Sequence, residues 1–419
     1  MKSSLLLLLW ICICSPSVFA QFVLQGKVQG KDGSPIPSAS VFLSNTSMGT
    51  VANRDGNFIL DGIAAGKYDL VVSSVGFETH VQQINTAQWP QNLVITLAAK
   101  AAELPEVVVG NYTKETWAKW GKFFLENFLG TTPFANSCVI KNEKAIQFRN
   151  YKKRNELKAI ADEPLIIENR ALGYRIKYQL ELFNYNFKTK IFHFSGYPLF
   201  EAYEKPGEKP KHRWEQNRNE AYYGSKLHFM RSLFRNRLVE NGFEVRFMQR
   251  IPNTEKERVK QLNAVLAADG KTTITINNNG SMASSTNLQG DSADYYRKVM
   301  RQPDLLDVID SNVLPGDSIG YAINEHTAGF YFPNYLHITY FLAKEDPIYL
   351  SNNLINREPG SQVTTLQMIA NRPMEVMADG SYFDPLDILS SGYWAWTERM
   401  GNMLPFNFKP TAPAPTPKK

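Results

Sequence analysis

Cysteine is almost missing from this chain: three in 419 residues, with Cys12 and Cys14 inside the first twenty. Beyond that stretch only Cys138 remains, so an internal disulfide is excluded, and no neighbouring Cys or His pattern suggests a metal. Its expected role is that of a small buried hydrophobe. After the N-terminal apolar run, no stretch reaches the ~20 residues that a membrane-crossing helix needs. There is no His-Glu-x-x-His pair, no Gly-x-Ser-x-Gly turn and no glycine-rich phosphate loop, which removes the commonest hydrolase and nucleotide-binding signatures. No internal repeat is found.

What is present points to a folded, exported protein. Hydrophobic residues make up 43%, with 25 Phe, 19 Tyr and 7 Trp, too apolar and too aromatic for a disordered chain. The length exceeds the ~100–200 residues usual for one domain, so two folded units are expected. Lys2, the apolar run Leu5 to Ile13 and the small residue ending Val18-Phe19-Ala20 form a secretory signal over residues 1–20. Cleavage is expected before Gln21. Ile11 and Ile13 precede the two early cysteines where a lipoprotein signal needs a small residue, which argues against a lipid anchor. Net charge is +6, unevenly spread: residues 141–260 hold 26 Lys/Arg against 15 Asp/Glu, and 261–400 hold 8 against 16. Two stretches of opposite sign can face each other within one fold, and export argues against a nucleic-acid partner.

Residues 22–99 read as short strands separated by turns. Val23 to Val28 and Ala39 to Leu43 flank the turn Lys31-Asp32-Gly33-Ser34-Pro35, and Asn53-Arg54-Asp55-Gly56-Asn57 precedes Phe58-Ile59-Leu60. Tyr68 to Ser73 and Leu93 to Leu97 complete a predicted β-sandwich. Gly26-Lys27-Val28, Asp32 to Val41, Asp55-Gly56-Asn57-Phe58, Gly66-Lys67-Tyr68 and Val75-Gly76-Phe77 closely resemble the carboxypeptidase regulatory-like domain. The resemblance implies a transthyretin-like sandwich, non-catalytic, of the kind found at the start of exported Bacteroidota proteins, including SusC-type outer-membrane receptors. It covers about a fifth of the chain. Glu103-Leu104-Pro105-Glu106-Val107-Val108-Val109-Gly110 resembles the TonB box that follows this domain in such receptors. Too few residues follow it for a plug and a 22-stranded barrel, so it is expected to be an edge strand or linker.

Residues 100–130 are expected to be a linker and a connecting helix, because Trp117, Trp120, Phe124 and Phe128 step by three and four between 114 and 129. Residues 131–405 are expected to form a larger antiparallel, β-rich α+β domain, with strands at Tyr174 to Leu182, Lys190 to Ser195, Phe243 to Gln249, Thr272 to Asn277, Tyr335 to Leu342 and Gln362 to Ile369. Two further helices are predicted. One runs from Ser225 to Asn241-Gly242, and the other follows Asp384-Pro385 and carries Leu386, Leu389, Tyr393, Trp394, Trp396 and Met400. Tyr222-Tyr223-Gly224-Ser225 and Gly392-Tyr393-Trp394 resemble uncharacterised regions that accompany the same N-terminal domain. Residues 406–419 read as a Pro-rich tail that does not pack.

Chemistry has few candidates. His212 and Glu215, three apart, with His326 or His337 far downstream, match the ligand types and order of a zinc carboxypeptidase, though His212 sits in what reads as a charged loop. Glu201 with Glu204, or Asp304, Asp307 and Asp310, are candidate acid/base carboxylates. Asp291 and Asp294 near Asn277 to Gly280 are candidate calcium ligands without EF-hand spacing. The predicted basic helix offers Lys226, Arg231, Arg235 and Arg237, beside His228, as a binding surface for lipid phosphate or an acidic polymer. No catalytic residue and no cofactor is assigned. The expected function is an exported binding or assembly protein at the periplasmic or outer-membrane surface, with an envelope protein or glycan as partner. The alternatives are a zinc-dependent carboxypeptidase-like hydrolase and a small outer-membrane barrel.

Overall fold

The computed structural model describes residues 21–89, 92–100, 112–204, 207–268, 272–276, 282–286, 291–383 and 385–414. The early signal, the stretch Glu103 to Gly110 and the stretch Asn277 to Gly280 lie outside the described residues.

The N-terminal unit is a sandwich of two sheets. Asn57–Ile63, Phe22–Gly30 and Leu93–Leu97 form one, and Gly49–Val51, Ser40–Leu43, Lys67–Ser73 and His80–Asn85 the other. Alternation sends Leu24, Val28, Phe58, Leu70 and Ile95 into the shared core. The turn before Phe58 is closed by Asn53, whose Oδ1 accepts from the amides of Asp55 and Asn57, both at 2.9 Å. Gly56 takes φ +79°, and a Cβ there would stand 2.4 Å from the Val28 carbonyl oxygen, so only glycine fits.

The remainder is mainly β with two cores. In the first, Tyr174–Asn186 is the central strand of a seven-stranded antiparallel sheet that also takes in Thr113–Glu115, Cys138–Ile140, Ile146–Tyr151, Glu156–Ala161, Leu165–Asn169 and Phe192–Ala202. Helix α1 (Trp117–Phe128) lies across it, its rings meeting Phe148, Phe183 and Tyr178. It begins later than the pattern suggests because Thr113–Glu115 pairs with Ile146–Tyr151. In the second core, a five-stranded sheet runs Leu305–Ile309, Phe243–Pro252, Tyr335–Lys344, Ser361–Met368, Ile388–Gly392. A smaller sheet of Gly320–Asn324, Thr327–Phe330 and Met374–Met377 stands nearby.

Helices are more numerous than the sequence suggests: α2 (Glu208–Tyr222), α3 (Lys226–Phe234), α4 (Thr254–Ala268), α5 (Asp291–Arg301), α6 (Pro347–Asn352) and α7 (Tyr393–Thr397) follow α1. His212 therefore lies on a helix, not in a loop, since Pro210 falls in the first turn of α2 where its missing amide is harmless. Helix α3 stops at Phe234, short of Asn241-Gly242, because Asn236 turns left-handed at φ +50°. The helix expected after Pro385 is a single 3-10 turn, then a strand hydrogen-bonded to Ser361–Met368, then the short α7. Strands among the described residues divide over six sheets, none of which closes on itself, and this contradicts the barrel alternative.

The sandwich is built onto the rest. Asn45 N–H donates to the Pro198 carbonyl at 2.8 Å and Phe200 N–H to the Thr46 carbonyl at 3.0 Å. Phe42, Val71 and Leu199 form a separate apolar seat between the two parts. Asn407 grips Ser47 through its side-chain amide, and Lys67 pairs with Glu375 at 2.8 Å.

Candidate functional site

The two short motifs noted in the sequence come together. Gly224 turns at φ +85° between α2 and α3, where a Cβ would meet Tyr340 and Gln362 at 2.7 Å. Its carbonyl accepts from Trp394 Nε1 at 2.7 Å. Ser225 caps α3, its Oγ accepting from His228 N–H at 3.2 Å, and Glu398 Oε1 accepts from Lys226 N–H at 2.9 Å. A carboxylate at a helix N-terminus meets both unpaired amides and the positive end of the helix dipole.

Around this corner opens a cleft of about 430 Å³, within the size range of ligand pockets. Its walls include Glu220 from α2 and Tyr223 just after it, Asp346 from the start of α6, and Tyr393, Trp396 and Glu398 from α7 and its end. The aromatic wall is fixed from behind: Tyr349 packs on Tyr393 at 5.1 Å and on Trp396 at 5.6 Å, and Trp396 Nε1 donates to Thr131 Oγ1 at 2.9 Å. Asp346 Oδ1 caps α6 by accepting from Ile348 N–H at 2.7 Å, while its own amide donates to the Tyr393 hydroxyl at 3.2 Å. Behind it Arg357 holds Glu345 through both carboxylate oxygens, at 2.6 and 2.9 Å.

Desolvation and then the Asp346 charge raise the Glu220 carboxyl above its ordinary range. Glu398 is raised by burial, which the charge of Lys226 and its amide partly offset. The chain's own tail forms one lip of the cleft. Asn219 exchanges two hydrogen bonds with Thr411, the Tyr223 hydroxyl donates to the Ala412 carbonyl, and Pro413 lines the opening. Residues 411–413 are thus held by hydrogen bonds while staying exposed, and Phe406 and Phe408 pack against the first core, contrary to the expectation for the start of the tail.

The zinc candidates are scattered. His212 shares a hydrogen bond with Gln216 on α2, Glu215 lies on the same helix, and His326 stands in the turn after Gly320–Asn324, lining a different cavity with Lys67. His337 lies on the Tyr335–Lys344 strand, its pKa lowered by burial. No group of three His, Cys, Asp or Glu is placed to hold a metal among the described residues. Cys138 is half-buried, and burial pushes its thiol up to about 12, so it stays protonated and unreactive.

The basic helix face does not exist as a face. Arg231 points inward and donates to the carbonyls of Asp379, Phe406 and Phe408. Lys226 is half-buried over Tyr382, and Arg235 and Arg237 are exposed but lie beyond the helix end. Of the other carboxylates, Glu201 pairs with Lys177, Asp304 with Lys256 and Lys260, Asp307 with Arg250, and Asp294 with Arg297. Three of these pairs join the basic stretch to the acidic one. The cleft carboxylates carried no sequence signal, because Glu220, Asp346 and Glu398 are distant in the chain and none belongs to a motif.

Two comparisons bear on the chain. Residues 24–109 match the model of the CarboxypepD_reg-like domain. A TonB-dependent receptor of Formosa agariphila is 32% identical over 111 residues, which is 26% of this chain and 10% of that receptor. The chain therefore spans about a tenth of the length of the curated relative it matches. Among the described residues no helix is long and apolar enough to cross a membrane.

Proposed function

We propose that this chain is an exported binding protein of the cell envelope, in which the regulatory-like sandwich is a non-catalytic platform and the cleft beside α7 is the ligand-facing part. The carrying observation is the attachment of the sandwich: backbone hydrogen bonds at Asn45 and Phe200 and the apolar seat at Leu199 make it part of one framework. Such a module holds and presents the rest and needs no active site of its own. The match to part of a TonB-dependent receptor supports an envelope setting. The Pro-rich tail, the α2–α3 corner and α7 converge on the cleft, a concave surface with convergent polar groups.

Fractionation of a Bacteroidota host producing the chain with an internal tag, combined with N-terminal mass analysis, tests the envelope setting. The expected result is a species starting at Gln21 in the periplasmic or outer-membrane fraction. An uncleaved chain in the cytoplasm overturns it.

A further inference from the structure

The cleft has a composition that selects among ligands. Its described lining residues include three carboxylates, Glu220, Asp346 and Glu398, and one ammonium, Lys344; Glu398 is already engaged by the Lys226 amide and charge, which leaves Glu220 and Asp346. Two of its aromatic residues, Tyr393 and Trp396, pack together with centroids 5.5 Å apart, in a block stiffened from behind by Tyr349. Ring faces attract cations through their quadrupole, and a cation between them and a carboxylate is held from two sides. Burial and, after it, the Asp346 charge raise the Glu220 carboxyl, and a cation seated between the two carboxylates would relieve that repulsion where a neutral ligand would not.

We propose that the cleft of about 430 Å³ between α2, α6 and α7 binds an alkylammonium group, seated against Trp396 and Tyr393 and countered by Glu220 and Asp346. The proposal rests on the reading of this cleft as the ligand-facing part and adds the chemical class of the ligand. Two sources carry that chemistry: a free small amine, and a lysine side chain of a peptide. The lip formed by Thr411, Ala412 and Pro413 shows that peptide backbone is accepted at the opening, through Asn219 and Tyr223. Lys418 and Lys419 follow in the sequence five and six residues after Pro413, so the chain carries a competing lysine source of its own.

The test is calorimetric titration of the whole exported chain with four probes: choline, its uncharged isostere 3,3-dimethylbutan-1-ol, an acetylated Pro-Lys-Lys amide, and maltose. Each is repeated on a Lys418→Ala, Lys419→Ala double variant. A bound cation is expected to bind at least about tenfold more tightly than its neutral isostere. Glu220→Gln and Asp346→Asn should each weaken it severalfold, and asparagine keeps the α6 cap while removing the charge. Circular dichroism melts of both variants confirm that the fold is intact. Choline binding identifies a small amine as the source, and binding of the peptide alone identifies a lysine side chain; either supports the proposal. Equal binding of the isostere, or indifference to both substitutions, overturns it. No heat from either cation up to about 10 mM, in the chain or in the double variant, overturns it too. Binding of maltose alone overturns the ligand class while leaving the cleft as a binding site.

Discussion

His228 shows how one side chain can carry a pH dependence that spacing does not reveal. It is 4% exposed on α3, ringed by Tyr222, Tyr223, Phe243 and Tyr340, and its Nδ1 accepts from the Gly224 amide at 3.2 Å. Burial, with the charges of Arg231 and Arg235, pushes its pKa down to about 3. The unfolded chain takes up a proton near the ordinary 6.5 and the folded one does not, so stability is full above pH 6.5 and is lost as pH falls toward about 3. The loss is on the order of a kcal/mol per pH unit within that window. Urea melts of the wild type and His228→Gln at pH 7 and pH 4.5 check this, glutamine retaining an acceptor for Gly224. The variant should lose distinctly less stability over that interval, and parallel losses would refute the assignment. Arg231, three residues on, marks the limit of the sequence at this scale. Charge and helical position made it look like a surface residue, whereas the three carbonyls that receive it come from segments about 150 to 180 positions away.

At the scale of elements, periodicity served where one face alone was buried. Trp117, Trp120, Phe124 and Phe128 announced α1, and Phe124 and Phe128 are fully buried against the seven-stranded sheet while Trp120 is only partly covered. Phe128→Ala is therefore expected to cost about 3–5 kcal/mol, as full removal of a buried ring does. Trp120→Ala should cost clearly less, and urea midpoints for the pair measure the difference. If Trp120→Ala matched Phe128→Ala, the face assignment of α1 would be wrong. Around Pro385 periodicity and structure part company. Leu386 and Leu389 fit a helical step, but the hydrogen-bonding edge of Ser361–Met368 captures Ile388–Gly392 as a strand, and no local pattern records that edge. Helix α2 was hidden for the opposite reason: its polar residues give no apolar stripe, and it docks through Arg218 on the carbonyls of Leu172 and Gly173.

For the whole molecule, the sandwich was the most legible part, because its turns use residues with fixed backbone requirements such as Asn53 and Gly56. Its attachment was not legible, since Phe42, Val71 and Leu199 are ordinary strand residues until the two parts meet. Leu199 is 5% exposed and its side chain touches the backbone of Gly49 so closely that a Cβ there would sit 3.0 Å away. Much of the apolar joint therefore hangs on this residue, with Lys67–Glu375 adding a partly exposed ion pair of at most about 1 kcal/mol. The wild-type chain should unfold in one calorimetric transition, because the sandwich and the rest share that joint and the Asn45 and Phe200 hydrogen bonds. Leu199→Asp places an unpaired charge in the apolar seat and should split the transition in two, one for the sandwich and one for the remainder. Two transitions in the wild type, or one in the variant, would show that the platform and the cleft-bearing part are not coupled in this way.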